Sequence, residues 1–211
     1  MSNQEKFDQL SKKQLIKMAD LMSDAFITHE NWTYLIPNQN KRKKALYHIF
    51  LLIYKVINRY GYIFEVDSDG DTIGYITFMD SKDKAQISLY RVLRTGGLLS
   101  FFKFLFALKY NELKGIFQYM NVYNQYHKHD TKGYIHLYMV GIKAEYQGQG
   151  YMSNAFKQCT NILKDEGFTD VMLETSDSTN IPIYKTMGFT LKEFMSSKSN
   201  KQTIYFFERE L

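Results

Sequence analysis

The sequence predicts an α+β fold. Segments with helical spacing of apolar residues and segments with strand-like runs both occur, in the order helix, helix, strand, strand, then strand, loop, helix, strand, helix, strand, strand. One pair of strands is joined by an Asp-Gly turn, which marks an antiparallel hairpin. A later strand leads through a glycine-bearing turn directly into a helix. With 211 residues, 45% hydrophobic and 16% aromatic, the chain is long enough to bury a sizeable core and is globular in composition.

Leu15, Met18, Ala19, Met22 and Phe26 recur at helical spacing and predict a first helix that breaks near Asn31. A second helix is expected from about Asn40 to Arg59, with apolar positions at Ala45, Ile49, Leu52, Val56 and Tyr60, and stopped by Gly61. Tyr62 to Val66 and Thr72 to Met79 read as strands, joined through Asp67-Ser68-Asp69-Gly70-Asp71. The stretch from Leu89 to about residue 130 is too long for a plain hairpin connection and is expected to form helices of its own. It includes the apolar run Leu98 to Leu108, which is too short to span a bilayer and carries Lys103.

Tyr134 to Ile142 is an apolar, aromatic-rich strand. Ile142-Lys143-Ala144-Glu145-Tyr146-Gln147-Gly148-Gln149-Gly150 follows, and then a helix with Met152, Ala155, Phe156, Cys159, Ile162 and Leu163 at helical spacing. Strand, glycine turn and helix N-terminus together collect anions, because glycines let backbone approach a phosphate and the first-turn N–H groups point at it. A P-loop is excluded, since no Lys-Ser or Lys-Thr follows the glycines; a dinucleotide fingerprint is excluded, since Ser153 stands where its third glycine would be. Asp165-Glu166-Gly167 ends the helix, Val171 to Thr175 reads as a strand, and Asn180 is expected to cap a short helix with Pro182 in its first turn and Gly188 at its end. Strands are expected at about Leu191 to Met195 and Thr203 to Glu208.

Gln147-x-x-Gly150-x-Met152 resembles the Arg/Gln-x-x-Gly-x-Gly/Ala signature of the GNAT-type N-acetyltransferases, with Met where Gly or Ala is usual. Asn180-x-x-x-Tyr184-x-x-x-Gly188-Phe189 is similar to that family's second signature. The resemblance covers about Tyr134 to Leu211 by motif and the preceding part by order of elements, without the family's short first strand. It implies a mixed, mostly antiparallel central sheet, splayed between two strands and flanked by helices, as one domain over 1–211 with a helical insert at about 89–130.

The resemblance also implies a site. Acetyl-coenzyme A would lie as co-substrate between the strands at 134–142 and 171–175. Backbone groups of Val140 and Ile142 would pair with its pantetheine arm, and N–H groups of Gln147, Gly148, Gln149, Gly150, Tyr151 and Met152 would hold its pyrophosphate, with Asn180 and Tyr184 beside it. Tyr184 would act as general acid toward the departing thiolate. Glu174 would serve as base; His136, expected to share a face with Tyr138, Val140 and Ile142, is its rival, and water without a dedicated base is a third option. The acceptor would be a primary amine of a small molecule or peptide, and the insert would be a core helix, a wall of the acceptor channel, or a surface for membrane or a second subunit.

Two other function classes stand beside the transferase: a coenzyme A-binding sensor without turnover, and a basic binder of nucleic acid or membrane surface. Net charge is +5, but basic residues are scattered. Lys41-Arg42-Lys43-Lys44 is the tight cluster, and it reads as a solvated helix start. No nucleic acid, no integral membrane segment and no metal are expected, and the chain is expected to be a monomer or homodimer. His127 and His129 are expected to face solvent. A single cysteine, Cys159 on an apolar helix face, and a polar start point to a cytoplasmic protein with a buried inert thiol.

Overall fold

The computed structural model describes residues 9–81, 87–127, 134–196 and 203–211. Six strands form one open sheet in the order β1-β2-β3-β4-β6-β5: β1 Gly61–Ser68, β2 Asp71–Asp80, β3 Ile135–Ile142, β4 Asp170–Thr175, β5 Thr190–Ser196 and β6 Thr203–Glu210. All neighbours are antiparallel except β3 and β4. The expected mixed, mostly antiparallel sheet flanked by helices is therefore what the chain forms.

Helix α1 (Lys12–Ala25) begins with a capping box, in which Ser11 and Gln14 each satisfy the other's backbone N–H. Its Leu15, Met18, Ala19 and Met22 pack with Leu46, Phe50 and Ile57 of α3 (Gln39–Tyr60) and with Tyr75 and Met79 of β2. This is the core on one face of the sheet. Between α1 and α3, where a break was expected, a short helix α2 (Glu30–Leu35) forms. Its Leu35, with Ile36, joins a satellite cluster with Phe104.

On the other face lies α7 (Tyr151–Asp165). Phe156, Cys159, Thr160 and Leu163 are buried there, and Phe156 meets Phe78 of β2 and Phe189 with ring centroids 6.3 and 5.5 Å apart. Cys159 is buried and free, and burial pushes its thiol up to about 12. The helical region after β2 forms α4 (Leu89–Arg94), α5 (Leu98–Phe106) and α6 (Tyr110–His127). No helix among the described residues is long and apolar enough to cross a membrane.

Two features shape the middle of the sheet. Strands β3 and β4 pair only at Ile135↔Val171 and His136↔Met172, then diverge; β3 continues to Ile142 and β4 to Thr175. A wedge thus opens toward the C-terminal ends of both strands. Strand β3 also carries a bulge, because Thr77 pairs with Met139 while Phe78 pairs with Leu137. Tyr138 is the extra residue, so Tyr138 and Met139 both turn toward the α1–α3 core.

Candidate functional site

Connectivity aims the loop after β3 and the N-terminus of α7 at the wedge. Strand β4 starts beside the start of β3, so α7, which links the end of β3 to the start of β4, must run back along the sheet. Its N-terminus therefore stands at the open end. The loop before it enters through a 3-10 turn at Ala144–Tyr146 and reaches the helix through Gly148 and Gly150 at φ of +74° and +82°. A Cβ on either glycine would meet nothing within 4 Å, so they are needed for their backbone conformation, in a loop that stands open. No side chain caps α7 at Gly150, which leaves the first-turn N–H groups of Tyr151 and Met152 directed outward.

Side chains around this loop brace it. Gln147 Nε2 donates to the Ile142 carbonyl at 3.3 Å, Gln149 Nε2 donates to the Glu145 carbonyl at 2.7 Å, and Ser68 Oγ donates to the Tyr151 hydroxyl at 3.0 Å. Met152, where the family signature has a small residue, lays its side chain against the α7-side core. Its backbone N–H stays clear.

At the vertex of the wedge Glu174 of β4 reaches across to β3. Its Oε2 lies 2.7 Å from His136 Nε2, with the imidazole fully buried and the carboxylate side chain 13% exposed. The bond requires the proton on Nε2 if the carboxylate is ionised. Three phenols surround this carboxylate. Tyr138 stands edge-on to His136 at 5.3 Å; burial raises its pKa, and Glu174 raises it further. Tyr119, from α6, is pushed up to about 12 by burial, against a lowering hydrogen bond with Ser176 and with a further rise from Glu174. Tyr184, on α8 (Asn180–Thr186), is pushed up to about 12 by burial first and then by Glu174 and Asp177. Its ring packs on Phe189 and Phe207 at 6.0 and 5.6 Å.

Two residues stand otherwise than the sequence suggests. His136 does share a face with Tyr138, but not with Val140 and Ile142. The bulge at Tyr138 shifts the alternation, and those two side chains pack in the α7-side core instead. Asn180 is the first residue of α8 rather than its cap, which is Thr179; Asp177 accepts from the Thr179 N–H at 2.9 Å, and Asn180 Nδ2 donates to Thr175 Oγ1 at 3.3 Å. The side chain thus ties α8 to the end of β4.

Three residues near the wedge were not among the expected ones. Ser176 was legible, since it stands two residues after Glu174. Tyr119 was not, because only the packing of α6 brings it there. His29, between α1 and α2, was not either: its Nδ1 is buried without a hydrogen-bond partner among the described residues, and burial lowers its pKa, while Asp177 and Glu30 act the other way.

The basic cluster is committed elsewhere. Arg42 is buried and donates to the carbonyls of Ile27, Ile36 and Pro37 at 2.7, 2.7 and 3.1 Å; Lys41 pairs with Glu112, and Lys43 with Asp24. It is therefore a structural clasp more than a solvated helix start. No group of acidic, His and Cys side chains among the described residues could hold a metal. The side chain of His127 and the whole of His129 lie outside the described residues.

The site is thus an open sheet splayed in its middle, with a glycine loop and an uncapped helix at the mouth of the splay. The chain matches the acetyltransferase (GNAT) family over residues 23–189 and belongs to that family. Its fold is that of a crystal structure described as histone acetyltransferase HPA2 and related acetyltransferase from Corynebacterium glutamicum, with 16% identity, TM-score 0.59 and coverage of 96% of this chain and 93% of that one. It is also similar to the PaiA N-acetyltransferase of Thermoplasma acidophilum, solved with coenzyme A (13% identity, TM-score 0.52, 97% of each chain). A third likeness is to the ribosomal-protein-S18-alanine N-acetyltransferase of Escherichia coli (10% identity, TM-score 0.51, 96% of this chain and 91% of that one). No curated protein matches the sequence.

Proposed function

We propose that the chain is an N-acetyltransferase that moves an acetyl group from acetyl-coenzyme A to a primary amine of a small molecule or peptide by direct attack. The observation that carries this reading is the Glu174 carboxylate at the vertex of the wedge, with the glycine loop and uncapped α7 at its mouth. Acetyl-coenzyme A, when bound, supplies an acetyl group already activated as a thioester.

The chain's own groups divide the remaining work. Backbone N–H groups from Gly148 to Met152 hold the diphosphate at the positive end of α7, while the Gln147 N–H, expected to join them, donates instead to the Ala144 carbonyl at 3.2 Å. Val140 and Ile142 offer the strand edge that β4 leaves unpaired, and the pantetheine arm pairs there as a short extra strand. Glu174 takes the proton that an alkylammonium, with pKa near 10.4, must lose before it attacks. His136 has no exposed surface, so it serves by fixing the carboxylate rather than as the base. Tyr184 holds its phenolic proton throughout the neutral range, because its pKa is about 12. Against a thiol near 8.5, that phenol donates a hydrogen bond to the departing sulfur more readily than it surrenders its proton. Asn180 keeps α8, and with it Tyr184, against β4.

A buried lone cysteine suits a reducing cytoplasm. Three of the four residues of the Lys41–Lys44 cluster are engaged within the protein, which argues against nucleic acid as the substrate.

The thermal midpoint with acetyl-coenzyme A, coenzyme A and NAD at matched ionic strength tests the cofactor assignment. A ligand at about a hundred times its Kd stabilises by roughly 2.7 kcal/mol, or about 5–11 °C for a chain of this size. A rise with the coenzyme A pair and none with NAD is expected, followed by release of free thiol when primary amines are screened. No rise with acetyl-coenzyme A overturns the reading. A rise without thiol release on any amine leaves a binding module.

A further inference from the structure

Helix α5 is apolar on both sides. Its inner face, Ser100 and Phe104, is buried, and Phe104 packs with Ala45 of α3 and with Leu35 and Ile36. Leu99, Phe102 and Phe106 follow at i, i+3 and i+7 on the opposite side, and they are 64%, 45% and 87% exposed. A helix that is apolar all round belongs in a core or against an apolar phase. On the helices before and after it in the chain, Leu93 of α4 and Tyr110 and Phe117 of α6 are also exposed. Burial of this face would release much of the apolar surface the molecule otherwise leaves in water.

Charge on the same helices says what kind of phase. From Leu89 to Met120 there are five basic residues and one acidic, so this short segment carries +4 of the chain's +5. Arg91 is tucked in, with its guanidinium 4.3 Å over the Tyr60 ring. The one carboxylate, Glu112, is occupied by Lys41 and by the Lys109 N–H. Arg94, Lys103, Lys109 and Lys114 of this segment remain exposed, and it has no exposed acidic residue. A second copy of the chain would set four cations against four. A nucleic acid would meet the cations but leave the aromatic face uncovered.

We propose that the outer face of α5, with the adjoining parts of α4 and α6, docks on an anionic lipid bilayer surface. The side chains of Leu99, Phe102 and Phe106 enter the boundary between headgroups and acyl chains, and the four cations meet lipid phosphates. Nine residues of helix are about 14 Å long, less than half of a bilayer core of about 30 Å, so the contact is peripheral and α5 lies in the plane of the surface. This inference stands apart from the acetyl-transfer reading and uses none of the wedge residues.

The test is co-sedimentation of the full chain with vesicles of phosphatidylcholine alone and with about one third phosphatidylglycerol. Binding to the anionic vesicles that weakens as salt rises, with little binding to the neutral ones, is expected. Phe102→Gln with Phe106→Gln should lower that binding by at least about tenfold at an unchanged thermal midpoint. Arg94→Gln with Lys103→Gln should lower it and flatten the salt dependence, which keeps the test sound should the first variant fold poorly. The proposal is overturned by no sedimentation with anionic vesicles, by binding indifferent to Phe102 and Phe106, or by a dimer in sedimentation velocity that the phenylalanine changes dissolve. Salt-sensitive oligonucleotide binding that abolishes vesicle binding and ignores the phenylalanine changes would assign the cations to nucleic acid and also overturn it.

Discussion

Substituting Glu174 separates its structural role from its chemical one. The carboxylate accepts from His136 Nε2 at 2.7 Å, and that imidazole has no exposed surface. Glu174→Ala takes the acceptor from a buried donor, which costs about 1–3 kcal/mol. For a chain of this size each kcal/mol lowers the thermal midpoint by about 2–4 °C, so a fall of about 2–12 °C is expected. Glu174→Gln keeps an amide oxygen at nearly the same place and should lose less than half as much. Turnover responds differently, since neither residue can take a proton from an ammonium. Both variants should lose about 10²–10⁴-fold in kcat at saturating acceptor. Scanning calorimetry gives the first quantity and release of free coenzyme A thiol the second. An alanine variant with an unmoved midpoint refutes the argument from the buried pair. A glutamine variant that turns over at the wild-type rate removes Glu174 from the chemistry while leaving its packing role intact.

Three further outcomes are expected. Tyr184→Phe keeps the ring contacts with Phe189 and Phe207 but loses a hydrogen bond to a developing charge, about 1.5–3 kcal/mol, so kcat should fall about 10–150-fold with the KM for acetyl-coenzyme A little changed; an unaltered kcat would make Tyr184 a packing residue. Gly74→Ala would place Cβ 2.5 Å from the Gly141 carbonyl and 3.0 Å from Ile142 Cα, both backbone, whereas Gly141→Ala would meet the end of the flexible Met22 side chain at 2.5 Å. Overpacking costs about 1–3 kcal/mol, so the first should lower the midpoint more than the second, and the reverse order would contradict the assigned register. His29 is held neutral by burial, with a folded pKa below 6.5; the unfolded chain binds its proton first as pH falls, so stability present above about 6.5 is lost below it until the folded pKa is reached. The wild-type midpoint should therefore drop more between about pH 7.5 and 5.5 than that of His29→Gln, and parallel curves would refute this.

Much of the fold was legible because the apolar periodicities are strong. The α7 stripe of Phe156, Cys159 and Leu163 and the Asp69-Gly70 turn state their elements locally. The family signatures located the glycine loop for the same reason: its conformation is written in Gly148 and Gly150. The face of His136 was not legible. A bulge is set by how β3 registers against β2, and nothing in Tyr134 to Ile142 names Tyr138 as the extra residue. The short α2 was hidden because six residues are too few to show a helical period. Tyr119 was hidden because α6 reaches the wedge only through tertiary packing, in which Gly115 lets the helix approach Leu35. Distances in sequence of 38 and 55 residues separate Glu174 from His136 and Tyr119, and only the folded sheet closes them.

The two rungs that join β3 to β4 also bear on how the molecule breathes. Strands β1 to β3 and strands β4 to β6 form two half-sheets with continuous ladders of their own, and between them the backbone seam is nearly open. Such a seam works as a hinge line whose stiffness depends on what spans it. An occupant of the wedge that hydrogen-bonds to the free edge of β3 while touching α8 turns two loosely coupled halves into a single elastic body. Slowed amide exchange should then reach well beyond the contacted residues, into β5 and β6 on the far side of the seam.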